Sequence, residues 1–369
     1  MKIKIIPVFV LFLLIYTSCK KESDKPQTTT DVNKGLTITT ESLSEARYGA
    51  TSAALGDNVF FAGGVNSTYH VTNTVDIYNV LTDKWTTAQL SQKRSAIGAA
   101  STGSKIVFAG GSLDGTGLIS DAVDIYDVTA NQWATTKLSL ARTVISSAGT
   151  ANKIVFAGGL SSYDVVDNVD IYDVSTNSWT TANLSEARLN MGAAAAGNKI
   201  LFAGGATSGP HPSATVDIYD ASNNSWTSAQ LSEARFSLAA AAAGNKVVFA
   251  GGNSSTSGGN KESKIVDIYD ASTNSWTTAE LSEARQGLVA GAAGNKIFFA
   301  GGYVFSNGYI YSKTIDIYDV QTNKWTVGKL NDAISDFGCA GAGNRILFAG
   351  GVDGMNSITK SVEVFTINN

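Results

Sequence analysis

The stretch MGAAAAGNKILFAGGATSGPHPSATVDIYDASNNSWTSAQLSEAR, residues 191–235, is one of seven copies of a unit that fills most of this 369-residue chain. In order it holds a small-residue strand, a Gly-Asn-Lys turn, an apolar strand ending in Gly-Gly, a variable loop, a VDIYD strand, and a turn into a last strand opening near Trp226. Runs of strand-forming residues broken by Gly, Asn, Asp and Ser predict four short strands per copy. Gly-Gly recurs at 63–64, 110–111, 158–159, 204–205, 251–252, 301–302 and 350–351, spaced 46 to 50 residues. A period of that length built from strands predicts repeated sheets and excludes a helical solenoid.

The combination of Gly-Gly, a Tyr further on and a Trp seven residues after that Tyr resembles the kelch repeat, over about 330 residues. Trp85, Trp133, Trp179, Trp226, Trp276 and Trp325 fill the last place in six copies. The resemblance implies an all-β fold, a seven-bladed β-propeller of four-stranded antiparallel blades around a central channel. The repeated residues have physical reasons of their own. A side chain on either glycine would obstruct neighbouring backbone, and Gly tolerates a positive φ where a strand turns out. Tyr78, Tyr126, Tyr172, Tyr219, Tyr269 and Tyr318, with the tryptophans, suit the wedges between twisted sheets.

The seventh copy ends at VEVFTINN without a Trp strand, while ITTESLSEAR (38–47) aligns with WTTAELSEAR (276–285). Leu36–Ser42 is therefore expected to supply the outer strand of the last blade and to cover its open edge.

With strands named a to d from the channel outward, the b–c loop and the d–a connection emerge on one face. Turns on the other face barely vary, as short turns with fixed chemistry should. The b–c loops share almost nothing. They carry Tyr69, His70, Tyr163, His211, Tyr303, Phe305, Tyr309 and Tyr311, the binding candidates on this face. Variable loops on a rigid scaffold are where binding is usually placed, and Tyr brings area and a hydroxyl at small entropic cost.

Four d–a connections read LSEAR, and six copies place an Arg there: Arg47, Arg94, Arg142, Arg188, Arg235 and Arg285, with Ile334 in the seventh. On one reading each Arg pairs with a Glu of its own or the next blade, Glu45, Glu186, Glu233 and Glu283 standing two residues before their arginines. On the other, the arginines ring the channel mouth as ligand contacts. In protein-binding kelch domains arginines of an R-x-G motif, compare Arg47-Tyr48-Gly49, contact acidic segments, so the resemblance implies a carboxylate-bearing peptide or sugar here. A second ring, Asp76, Asp124, Asp170, Asp217, Asp267, Asp316 and Glu363, precedes the apolar-Tyr pair of strand c. Both blade faces are covered by neighbours, so these carboxylates should be partly buried and need donors.

The ends and the composition narrow the setting. Residues 1–19, MKIKIIPVFVLFLLIYTSC, join two lysines to an apolar run too short to span a bilayer, and read as an export signal. Tyr16-Thr17-Ser18-Cys19 resembles a relaxed bacterial lipobox, which implies lipidation at Cys19 and outer-membrane anchoring, periplasmic or surface-exposed. Residues 20–35 are polar and read as a tether, and 36–369 as the propeller. The net charge of −4 argues against nucleic acid as a partner, and the membrane is expected to be reached only through the lipid at Cys19. Two histidines and one cysteine beyond the signal, Cys339, leave no zinc cluster, no metal site and no cofactor motif. The expected function is noncatalytic binding of a protein or glycan through the b–c face. The alternative is a mutarotase or epimerase acting on an acidic sugar at the channel mouth, since exported kelch propellers include such enzymes and the chemistry needs only positioned proton donors and acceptors.

Overall fold

The computed structural model describes Asn33 and residues 35–114, 117–162, 164–209, 211–257 and 259–368. Cys19, the export segment, most of the tether and Tyr163 lie outside the described residues.

Strand b shows how the sheets are arranged. In KILFA, the residues Ile200, Leu201, Phe202 and Ala203 have no exposed surface, whichever side of the sheet they face. A strand that is apolar on both faces must be covered on both, here by the neighbouring blades. The fourth blade orders Gly192–Ala196, Lys199–Ala203, Thr215–Asp220 and Ser225–Gln230 from inside to outside, all antiparallel. The other blades repeat this order, and the inner strands of successive blades lie side by side around a closed ring. Tyr219 opposes Trp226 in register, their ring centroids 5.0 Å apart, and both pack into the apolar wedge shared with the third blade.

Inner strands approach so closely that they require small residues. A Cβ on Gly149 would lie 2.6 Å from the Ser101 carbonyl oxygen, and one on Gly341 would lie 2.1 Å from that of Ala292. Where serine stands instead, it bonds across: Ser52, Ser101 and Ser147 hydroxyls donate to the carbonyls of Cys339, Ala54 and Ala99 at 2.9, 2.6 and 2.9 Å. Cys339 is buried on the inner strand of the seventh blade, and burial pushes its thiol well up from the ordinary range. The ring closes through its termini as expected. Leu36–Ser42 pairs antiparallel with Ser361–Ile367, and Ile38 opposes Phe365 where other blades oppose Trp to Tyr.

The LSEAR connection is a clamp between blades. Its Leu is buried in each interblade wedge, as Leu231 is among residues of the fourth and fifth blades. The backbone N–H of the following Ser donates to the ring aspartate of the blade being entered, Ser185 to Asp217 Oδ1 at 3.1 Å and Ser282 to Asp316 Oδ1 at 2.9 Å. The other carboxylate oxygen receives the guanidinium: Arg47 to Asp76 at 2.6 Å, Arg142 to Asp170 at 2.7 Å, and likewise Arg94 to Asp124, Arg188 to Asp217, Arg235 to Asp267 and Arg285 to Asp316. Remaining donors reach backbone carbonyls at the strand ends, Arg188 Nη1 bonding Gly204 O and Thr215 O at 2.6 Å each.

All six arginines are 0% exposed, which corrects the expectation that they meet ligands at the mouth. Some donors are spare, Nε of Arg47, Arg94, Arg235 and Arg285 among them, but buried atoms offer a ligand no contact. The expected Arg–Glu pairing is present in three copies, but only as a longer second contact beside the Arg–Asp pair. Glu45, Glu186 and Glu283 stand 3.6, 3.9 and 3.5 Å from their arginines, yet hydrogen-bond the hydroxyls of Thr72, Ser213 and Ser312 ahead of strand c. The sequence placed the two rings correctly but paired Arg with the nearer carboxylate along the chain, whereas antiparallel folding brings strand c beside the connection.

On the far face the turns are consumed by their own chemistry. Asp220 accepts from Lys199 at 2.6 Å and from the Ser222 backbone at 2.9 Å, bonds that hold its carboxyl down at about 2. Tyr219 Oη donates to Asn224, which sits at φ 58 in the same turn.

Deleting Leu36–Ser42 should lower the midpoint and broaden the transition in thermal unfolding followed by far-UV circular dichroism, because the seventh blade loses its outer strand. Asp217→Asn should cost about 3–5 kcal/mol in denaturant unfolding, since it strands a buried guanidinium. Glu363→Gln should cost about 1 kcal/mol or less, because no Arg faces it and burial already pushes its carboxyl up. Equal losses in the two variants would show that charge pairing does not hold the clamp.

Candidate functional site

Each b–c loop is rooted on the connection that carries the Arg. The residue after Arg bridges the residue after Gly-Gly, as in Ser95 with Ser112, Thr143 with Leu160, Leu189 with Ala206 and Phe236 with Asn253. The chain then turns inward through a left-handed residue: Gly49, Ala96, Val144, Asn190, Ser237, Gly287 and Asp336 have φ between 50 and 63. These seven ring the channel mouth, and several are joined across blades, Val144 N–H donating to Ala96 O at 3.3 Å and Gly49 N–H to Asp336 O at 2.7 Å. A β-branched residue at positive φ is strained, so Val144 is held there by the ring rather than by its own preference. On one side the mouth opens into a cavity of about 370 Å³ lined by Ile97, Ile145, Met191, Leu238 and small residues.

The aromatic candidates are brought together in the sixth blade. Tyr303–Phe305 and Tyr309–Tyr311 form a hairpin through Asn307 at φ 54 and Gly308 at φ 139, with Tyr303 opposite Tyr311 and Phe305 opposite Tyr309. Alternation along a strand puts all four rings on one face and Val304 and Ile310 on the other. Tyr303 meets Tyr309 edge-on at 5.1 Å, and Phe305 meets Tyr309 at 5.4 Å. Tyr309 remains 61% and Phe305 42% exposed, so the cluster is a platform and not a core. It is fastened to the fifth blade's loop: Glu262 accepts from the Phe305 backbone at 2.9 Å and from buried Gln286 at 3.1 Å, and Gln286 in turn accepts from Asn253. The signal for this hairpin, Tyr-x-Phe and Tyr-x-Tyr around Ser-Asn-Gly, stands in the sequence.

The remaining candidates are dispersed. Tyr69 is 71% exposed on the first blade, and His70 Nδ1 lies 2.9 Å from Asp114 Oδ2 of the next blade's loop. His211 is exposed on the fourth blade, so the two histidines do not meet. Among the described residues no group of His, Cys, Asp or Glu is arranged to hold a metal ion.

Sequence reading missed Asp336 and Tyr48. Asp336 takes the ring position that follows Ile334, the residue standing in place of the seventh Arg. Its side chain reaches solvent at the mouth yet is largely enclosed by protein, which pushes its carboxyl up against the pull of a 3.1 Å bond from the Ser335 hydroxyl. Burial, and then the Asp336 charge, push the Tyr48 phenol up. The Tyr303 phenol rises to about 12, mainly through burial, with Tyr309 and Asp336 adding. The carboxyl thus sits within electrostatic reach of phenols from the first and sixth blades.

Comparison with known proteins agrees with this geometry. The solved structure titled "Structure of YjhT" superposes with a TM-score of 0.56 at 18% identity, covering 73% of this chain and 93% of that one, a likeness of fold. No curated protein matches the chain. The Kelch motif model matches residues 46–89, and the Attractin/LZTR1 beta-propeller model matches residues 91–307, more than half of the sequence. With seven closed blades, the chain is a kelch-repeat propeller and belongs to the Attractin/LZTR1 beta-propeller family.

Proposed function

We propose that the propeller is a noncatalytic glycan-binding module, exported and lipid-anchored, whose ligand lies on the b–c face across the sixth-blade hairpin and the adjoining channel mouth. The observation that carries this reading is the four-ring platform, exposed at Phe305 and Tyr309 and half-buried at Tyr303 and Tyr311, and fixed in orientation by cross-strand pairing and by Glu262. Flat apolar rings with hydroxyl edges match the alternating C–H faces and hydroxyl rims of sugars, and rings held in place lose little entropy on binding. A protein ligand is the remaining member of the class read from the sequence. The far face is disfavoured for either, because its turns bond within themselves.

A second reading, a mutarotase or epimerase, is favoured by one observation: the polar groups near the mouth are unequal residues from three blades, Tyr303, Asp336 and Tyr48. The arginines that would have anchored an acidic substrate are buried, which removes the argument for an acidic sugar in particular. For lipid anchoring the support is the Cys19 motif and the polar residues after it.

In a thermal-shift screen of oligosaccharides, a bound glycan at about 100 times its Kd should stabilise the protein by about 2.7 kcal/mol. Tyr309→Ala should abolish the shift without lowering the unliganded midpoint. A screen in which no glycan shifts the midpoint, or in which Tyr309→Ala binds like wild type, would reject the platform as a sugar site. Anomer exchange above the buffer rate, read by NMR in the same samples, would replace binding with catalysis. Palmitate labelling in a bacterial host should mark the wild-type chain and be lost in Cys19→Ser; labelling of both would reject Cys19 as the anchor.

A further inference from the structure

The channel mouth is not symmetric, and its asymmetry is chemical. Of the seven left-handed positions around it, Asp336 alone carries a charge, and its neighbours in the ring, Gly287 and Gly49, carry no side chain. A Cβ on Gly49 would meet nothing within 4 Å, so space is open on that side of the carboxyl. On the other side the Tyr303 ring covers Gly287, 2.8 Å from where a Cβ would stand. Tyr48 reaches the same corner from the first blade, half-buried and within electrostatic reach of both Asp336 and Tyr69.

Elsewhere around the ring a connection delivers an Arg to its carboxylate. At the seventh blade Ile334 replaces that Arg and leaves Glu363 without one; nearby, the one hydrogen bond to the Asp336 carboxyl among the described residues comes from the Ser335 hydroxyl. Asp336 forms no ion pair among the described residues, and it stands within electrostatic reach of Tyr303 and Tyr48, whose ring faces attract positive charge.

We propose that this corner binds a protonated amine, so that the saccharide read by the platform is one with free amino groups, such as a glucosamine oligomer. The proposal rests on the glycan reading above and narrows its substrate class. An ammonium would gain charge-assisted hydrogen bonds to Asp336 and contact with the Tyr303 and Tyr48 rings. A uronic acid would instead meet Asp336, and Glu262 at the edge of the platform, as like charges. An N-acetylated sugar offers neither charge nor repulsion and keeps only the ring contacts.

Isothermal titration of the purified chain with glucosamine, N-acetylglucosamine and galacturonate oligomers of equal length tests this. Wild type should bind the glucosamine oligomer at least about tenfold tighter than the acetylated one, and the galacturonate oligomer weakest of the three. Asp336→Asn should erase the preference by weakening the glucosamine oligomer alone. Asn tolerates a positive φ, so the ring should persist, with an unchanged unfolding midpoint as the check. Asp336→Glu, which keeps the charge, should retain part of the preference. Equal affinities for amino and acetylated oligomers, tighter binding of galacturonate, or an unaffected Asp336→Asn would overturn the amine site and leave the glycan reading standing. Absence of binding to any of the three, with the screen above also silent, would overturn both.

Discussion

An arginine removed from water and closed on an aspartate of the strand beside it is the interaction on which this ring depends. Desolvating both charges is expensive, and attraction between them offsets that cost only when the other donors and acceptors are also used. Here most are, though Nε stays spare in four of the arginines: the second carboxylate oxygen takes the backbone N–H of the clamp's Ser, while guanidinium donors reach strand-end carbonyls, as Arg188 reaches Gly204 and Thr215. The clamp thereby fixes where each chain crosses from one blade to the next. It also fixes Gly-Gly, because the Arg235 carbonyl accepts from Gly205 N–H at 2.9 Å and would lie 2.5 Å from a Cβ on Gly204.

The seventh blade shows that the clamp can be replaced by packing. Ile334 occupies the Arg position within an apolar cluster that includes Leu330, Phe337 and Phe348, and Glu363 keeps its backbone bond to Asn331 at 3.0 Å. An apolar side chain of suitable shape often serves as well as a buried ion pair, so losing one of seven clamps is tolerable. The substitution breaks the ring's equivalence next to Asp336. The same blade is closed by the N-terminal strand, so departure from the repeat is concentrated where the ring is joined.

Division of labour between the two faces has a related cause. Far-face turns must reverse the chain in a few residues, which commits Asp220, Lys199, Tyr219 and Asn224 to one another. On the b–c face a bridge after Gly-Gly roots each loop, and beyond it the chain is unconstrained by the ring. Loop sequences can therefore diverge without disturbing the blades, and the sixth has become a hairpin bearing four rings.

The fold was legible in the sequence because its determinants are local and repeated. Gly-Gly, the Tyr–Trp spacing, the GNK turns and the alignment of Ile38 with Trp276 each depend on nearby residues, and seven copies make the period plain. Residue pairing across the fold was not legible. Glu lies two residues from Arg in the chain, but strand c passes closer to the guanidinium, and only the antiparallel sheet decides that Asp217, 29 positions away, is the partner of Arg188. Exposure was hidden for the same reason, since a charged side chain reads as surface until its neighbours are known. The mouth depends on tertiary structure most of all: Asp336, Tyr48 and Tyr303 are remote in sequence and meet because the ring closes the seventh blade between the sixth and the first.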